Sequence, residues 1–264
     1  YLPKNSKEML GFKRRKVYNF FMQRIKLVLE YNGKNFSGWQ RQKSRRSVQG
    51  EVENALSKLL QTPVLIVGSS RTDAGVHAFG QVAHFDYEGN MAAEKFAQAP
   101  NSILREDVKV VSSSKVSANF NARFDVKKKT YLYYLSRSQK NAILNGLVAG
   151  INYSLDENKI KECLNLFLGK HNFKGFCASG AQVTNFERII YEAKLLKKRN
   201  FYVFKFTGNG FMQHMVRILV GTCVDVGRGR LSLEDVKQAL ENADRTKAGK
   251  TMPASGLYLN KIYY

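Results

Sequence analysis

With 264 residues, 44% hydrophobic and 24% charged, 4 Pro and 20 Gly, the chain has the make-up of an ordinary folded protein of about two domains, neither collagenous nor disordered. Three cysteines (Cys163, Cys177, Cys223) without a CxxC pair exclude a disulfide scaffold and a cysteine-rich zinc site, and no apolar run reaches the roughly 20 residues a membrane helix needs. The informative number is the charge: 43 Lys and Arg against 21 Asp and Glu leave a formal +22, which points to nucleic acid as partner, because neutralising phosphates releases condensed counterions.

Residues 1 to 21 carry Lys4, Lys7, Lys13, Arg14, Arg15 and Lys16 with little apolar periodicity. They read as a basic, disordered N-terminal extension and lack the apolar centre of a signal peptide. From Arg24 the pattern becomes regular. Ile25, Leu27, Leu29 and Tyr31 alternate with polar neighbours as in a half-buried strand. A loop with the basic run Arg41, Lys43, Arg45 and Arg46 leads to Ser47, an N-cap for a helix carrying Val48, Val52, Ala55, Leu56, Leu59 and Leu60 up to Pro63. Strands are expected at 64–67, 81–87 and 108–112, with a helix at 91–99 between the last two.

The second half repeats that order. A strand at 131–136 is followed by the helix stripe Ile160, Cys163, Leu164, Phe167, Leu168, and then by strands at 189–195 and 201–207. Met212, Met215, Val216, Leu219, Val220 and Cys223 recur at helical spacing, Ser232 with Asp235 three residues on opens a second helix, and 257–263 is a closing strand. The expected fold is α+β: two tandem ferredoxin-like βαββαβ halves, 22–125 and 126–264, with mainly antiparallel sheets whose free faces meet each other or line a central RNA-binding cleft.

The segment richest in chemistry is Gly68 to Ala78, between two strands. Arg71, Thr72, Asp73 and Gly75 form a polar turn in which a carboxylate stands beside a guanidinium, although Asp and Gly are also ordinary turn residues. His77 and His84 invite a metal reading with Asp73, but no third strong ligand accompanies them.

The string Arg71-Thr-Asp-Ala-Gly-Val-His77 resembles the active-site signature of the bacterial tRNA pseudouridine synthase A family. Further matches follow in the family's order: Tyr31 to Gln42, Ser47 to Glu51, Asn121-Ala-Arg-Phe124, Lys129-Thr-Tyr131, Phe176-Cys-Ala-Ser179, His214-Met-Val-Arg217 and Gly256-Leu-Tyr-Leu259. The resemblance covers about residues 24 to 263. It implies a cytoplasmic, homodimeric isomerase, free of metal and cofactor, that converts uridine to pseudouridine at positions 38–40 of tRNA, on the 3′ side of the anticodon stem-loop. Asp73 stands where the family has its catalytic aspartate, Tyr131 where it has its active-site tyrosine, and Arg217 where it has an arginine that partners the carboxylate or fills the vacated base stack. Arg71 is a candidate for contact with phosphate or the catalytic loop. Arg41, Arg45, Arg46, Lys127, Lys128 and Lys129 are candidates for the tRNA backbone. Ser70 departs from the glycine common in the family at that position. The competing reading is a non-catalytic RNA-binding or RNA-chaperone protein on the same scaffold, which explains the charge equally well but does not need Asp73, Tyr131 and Arg217 together.

Overall fold

The computed structural model describes residues 22–138, 142–180 and 183–264, so the basic extension expected at 1–21 lies outside the described residues. The first strand, β1 (Met22–Tyr31), turns Ile25, Leu27, Leu29 and Tyr31 inward. Helix α1 (Val48–Leu60) starts at Ser47, whose side chain accepts the Gly50 N–H, and ends at Gln61 in the left-handed conformation. Expected strand 64–67 shrinks to β2 (Val67–Gly68), because the Ile66 N–H donates to the buried Glu53 carboxylate rather than to a strand partner. Strand β3 (His77–Glu88) is longer than expected and begins inside the signature motif.

The helix expected at 91–99 is two short 3-10 turns, Ala93–Ala97 and Ala99–Ser102. Pro100 removes a backbone donor that a continuing helix would use. The Asn101 side chain then ties the turn to both polar groups of Val110 in β4 (Val108–Val116).

The second half supplies β5 (Lys128–Ser136), β6 (Ala149–Gly150), α2 (Glu157–Leu166), β7 (Gly169–Asn172), β8 (Glu187–Lys198) and β9 (Phe201–Gly208). Then come α3 (Met215–Gly227), α4 (Leu233–Glu241) and β10 (Leu257–Tyr263). The Ser232–Asp235 capping box expected for α4 is present.

The strands do not form two sheets facing each other. They form one ten-stranded, mostly antiparallel sheet in the order β4-β1-β3-β10-β5-β9-β8-β7, with β2 on β3 and β6 on β5. The junction is β10, which runs parallel to β3 (Tyr258 opposite His77) and antiparallel to β5 (Leu257 opposite Tyr133 through Tyr263 opposite Lys128). Close approach there requires Gly80, since a Cβ would lie 2.6 Å from the Asn260 carbonyl. One hydrophobic cluster runs across the junction, from Ile25 and Phe85 to Tyr133, Phe206 and α3. All of α3 is buried except Arg217, which leaves the helix towards the loop after β2.

Candidate active site

The loop from Ser69 to Val76, between β2 and β3, is held from several sides. Ser69 N–H donates to the Val82 carbonyl at 2.8 Å, and the buried Gln81 side chain accepts from the Ser69 hydroxyl and donates to the Ser70 carbonyl, both at 2.7 Å. Trp39 N–H donates to the Thr72 carbonyl at 3.0 Å, and the Thr72 hydroxyl shares a 2.8 Å hydrogen bond with the Tyr31 phenol. Burial pushes that phenol well above its ordinary pKa, so it stays protonated. Gly38, at φ +94, lets its strand of chain lie against the loop, where a Cβ would stand 2.7 Å from the Thr72 carbonyl.

These restraints present Asp73 to a cleft of about 890 Å³. Arg217 Nη1 lies 3.4 Å from Asp73 Oδ2, while its Nε donates to the Met252 carbonyl at 2.7 Å. His214 Nε2 lies 3.6 Å from the same Oδ2. Among the described lining residues Asp73 is the sole carboxylate, facing Arg71, Arg123, Lys129 and Arg188.

Tyr131, on β5, lies in the cleft wall nearly buried, its ring edge-on to Phe211 with centroids 5.2 Å apart. Burial raises its phenol to about 12; a hydrogen bond from Ser70 works against the rise and the Asp73 charge adds to it. Lys129, two residues earlier, also lines the cleft, partly buried in its wall. Its Nζ donates to the Ser69 carbonyl and the Ser70 hydroxyl at 2.7 Å each, so the serine that replaces the family's glycine is a ligand for this lysine. Burial, helped by the charges of Arg123 and Arg188, lowers Lys129 to about 8.

Asp73, Tyr131, Arg71 and Lys129 thus line one cleft, which Arg217 reaches through Asp73, whereas the other basic candidates do not. Arg46 is clamped by Asp107 at 2.6 and 2.8 Å and by Glu51 at 2.9 Å, and its guanidinium covers Phe36. Arg41 pairs with the buried Glu53 at 3.0 Å and, with Arg45, lines a separate shallow depression at the start of α1. Lys127 and Lys128 are exposed at the start of β5, with Lys128 over the Tyr263 ring. His77 and His84 are occupied structurally: the Nδ1 of each accepts a backbone N–H, from Gly33 and Ala122, and burial lowers both pKa values.

Sequence spacing sets His214 within the apolar helix stripe that begins at Met212, as a structural or RNA-contacting residue. It is instead the N-cap of α3, in the left-handed conformation at φ 61. Such a backbone costs a non-glycine residue energy and persists where the surroundings dictate it.

Comparison with known proteins places this geometry in a family. The family model of tRNA pseudouridine synthases matches residues 27–125 and 164–264, and the chain belongs to that family. Over 244 residues it is 42% identical to tRNA pseudouridine synthase A of Anoxybacillus flavithermus, covering 92% of this chain and 99% of that one. The synthase A of Caldicellulosiruptor saccharolyticus is 40% identical over 92% of this chain and all of its own. That of Lacticaseibacillus casei is 42% identical over 247 residues, again 92% of this chain and all of its own.

Proposed function

We propose that this protein isomerises uridine to pseudouridine in tRNA, on the 3′ side of the anticodon stem-loop at positions 38–40. The observation that carries the reading is the carboxylate of Asp73, solitary among the described lining residues of a cationic cleft. The reaction breaks the N1–C1′ bond, turns the uracil and joins C5 to C1′; the proton lost from C5 balances the one gained at N1. A second carboxylate activating water, as in glycosidases, would hydrolyse the cut nucleoside instead. Asp73 acts on the ribose, Arg217 and His214 hold its Oδ2 so that Oδ1 faces the substrate, and Tyr131 walls the position of the extruded base. Arg71 and the surrounding cations take the phosphates.

The same reading makes the enzyme cytoplasmic and homodimeric, with tRNA lying across both subunits. Among the described residues no helix is long and apolar enough to cross a membrane. It also divides the chain at 22–125 and 126–264 into two ferredoxin-like units joined edge to edge. In support, the sheet order β4-β1-β3, with β2 on β3, is echoed by β10-β5-β9-β8, in which the same relative positions recur.

The test is release of tritium from tRNA transcripts labelled at uracil C5. The wild type is expected to release it, and Asp73→Asn, which keeps shape but removes charge, to bind tRNA without release. Release by Asp73→Asn at the wild-type rate would overturn the mechanism. Absence of release by the wild type on a full set of unmodified tRNAs would favour an RNA-binding protein instead.

A further inference from the structure

The turn before β5 is built with unusual redundancy around a side chain that packs against little. Asn121 Oδ1 accepts the N–H groups of Arg123 and Phe124, at 2.9 and 3.2 Å, and Asn121 N–H donates to Asp125 Oδ2 at 2.8 Å. Asp125 N–H closes the turn onto the Asn121 carbonyl at 3.1 Å. Ala122 is fully buried, its N–H on the His84 imidazole at 3.1 Å and its carbonyl on the Tyr264 phenol at 2.8 Å. All this anchoring presents Phe124, 75% exposed, at the rim of the cleft that contains Asp73. The Arg123 guanidinium lies over the Phe124 ring, 5.5 Å from its centre, and has no carboxylate partner among the described residues.

A lone exposed apolar residue is unremarkable on a protein surface. This one is aromatic, carried on a firmly anchored turn, and placed among Arg123, Lys129 and Arg188 at a cleft of about 890 Å³. Every nucleobase offers a π-face to such a ring, and an adjacent guanidinium reaches the phosphate or stacks on the same base. Tyr131 walls the position of the target base itself, nearly buried and edge-on to Phe211, and so is not available to its neighbour.

We propose that Phe124 and Arg123 form a second base-holding subsite: a stacking platform at the cleft rim for an unpaired nucleobase of the tRNA next to the reacting uridine. The inference rests on the tRNA reading given above. Holding the neighbouring base keeps the strand open while the target uracil is detached and turned, and it contributes to affinity rather than to bond breaking.

The experiment compares Phe124→Ala, Phe124→Leu and Phe124→Trp with the wild type, using unmodified tRNA transcripts. It reads equilibrium affinity over a range of salt, and C5 tritium release at saturating enzyme. Phe124→Ala and Phe124→Leu are expected to weaken tRNA binding by about 10-fold, and Phe124→Trp to restore it. The dependence of log affinity on log salt keeps its slope in all three, since no phosphate contact is lost, whereas Arg123→Ala flattens it by about one unit. The saturated rate stays within a few-fold, and the melting temperature of each variant stays at the wild-type value because the side chain is exposed. Wild-type affinity in Phe124→Leu or Phe124→Ala overturns the proposal, as does a loss confined to the saturated rate. A wild type that releases no tritium defeats the tRNA reading itself, which is a different result from an active wild type indifferent to Phe124.

Discussion

Arg217 and Asp73 stand 144 positions apart in sequence and meet with Nη1 3.4 Å from Oδ2. The contact is longer than a charge-assisted hydrogen bond between fully engaged partners, and its direction is fixed from behind by the bond from Arg217 Nε to the Met252 carbonyl. Two anchors on one planar group allow small shifts of the Asp73 carboxyl without loss of its cation. They also explain why the residue is arginine.

Arg217→Lys keeps the charge but cannot grip the Met252 carbonyl and Asp73 together. We expect single-turnover tritium release to fall by about 100-fold in Arg217→Lys and further in Arg217→Ala, with tRNA affinity nearly unchanged. Wild-type turnover by the lysine variant would show that charge alone suffices.

Tyr131→Phe retains the ring and removes the hydroxyl. Since burial holds that hydroxyl at about 12, it is still neutral at pH 10, and the wild type should show no loss of activity near the ordinary tyrosine pKa of 10 that could be traced to it. Tyr131→Ala is expected to lose both activity and about 10-fold in tRNA affinity, Tyr131→Phe to keep the affinity. If release of tritium is as low with phenylalanine as with alanine, the hydroxyl itself takes part in proton transfer.

Lys129 makes a pH-dependent contribution whose sign can be worked out. In the folded protein it releases its proton near 8, while in the unfolded chain it keeps it up to the ordinary lysine value of 10.5. Between those values the unfolded chain binds the extra proton, so this site's contribution to stability rises with pH across that window and is flat below it. Urea unfolding between about pH 7 and 10 should show that rise in the wild type and not in Lys129→Met. Affinity for tRNA should move oppositely, falling above about pH 8 as the cleft loses a charge, and Lys129→Arg should remove this fall.

Gly38→Ala tests the support beneath the catalytic loop. The new Cβ would sit 2.7 Å from the Thr72 carbonyl in a backbone at φ +94, so the expected cost is about 1–3 kcal/mol of stability together with a loss of turnover. Gly229→Ala is the control, at φ +73 with no atom within 4 Å of the added methyl group. It should be destabilised by less and keep its activity, as judged by denaturant midpoints and tritium release.

Local signals were legible where local physics decides the outcome. The alternation in β1, the Ser47 cap and the Ser232–Asp235 box are all set by neighbours in sequence, and each appears in place. The signature loop falls between strands as expected, and Asp73, Tyr131 and Arg217 line or reach the same cleft. What could not be read depends on partners distant along the chain. Nothing in the apolar pattern of 257–263 says that it joins β3 to β5, nor that the Ile66 N–H will find Glu53. Basic residues were the least legible of all. Arg46 and Lys129 look alike in sequence, yet the first is held by two carboxylates and the second by a serine hydroxyl and a carbonyl.

The place of β10 in the sheet bears on how the protein is made. The strand that unites β3 with β5 is encoded after β1 to β9, so on the ribosome the stretches of β3 and β5 that it covers stay unpaired until residues 257–263 emerge. Such edges invite pairing with other chains. Nascent chains arrested before β10 should therefore be protease-sensitive and prone to self-association even with every residue of the Asp73 loop and α3 already synthesised, and chains released just beyond it should be resistant and monodisperse.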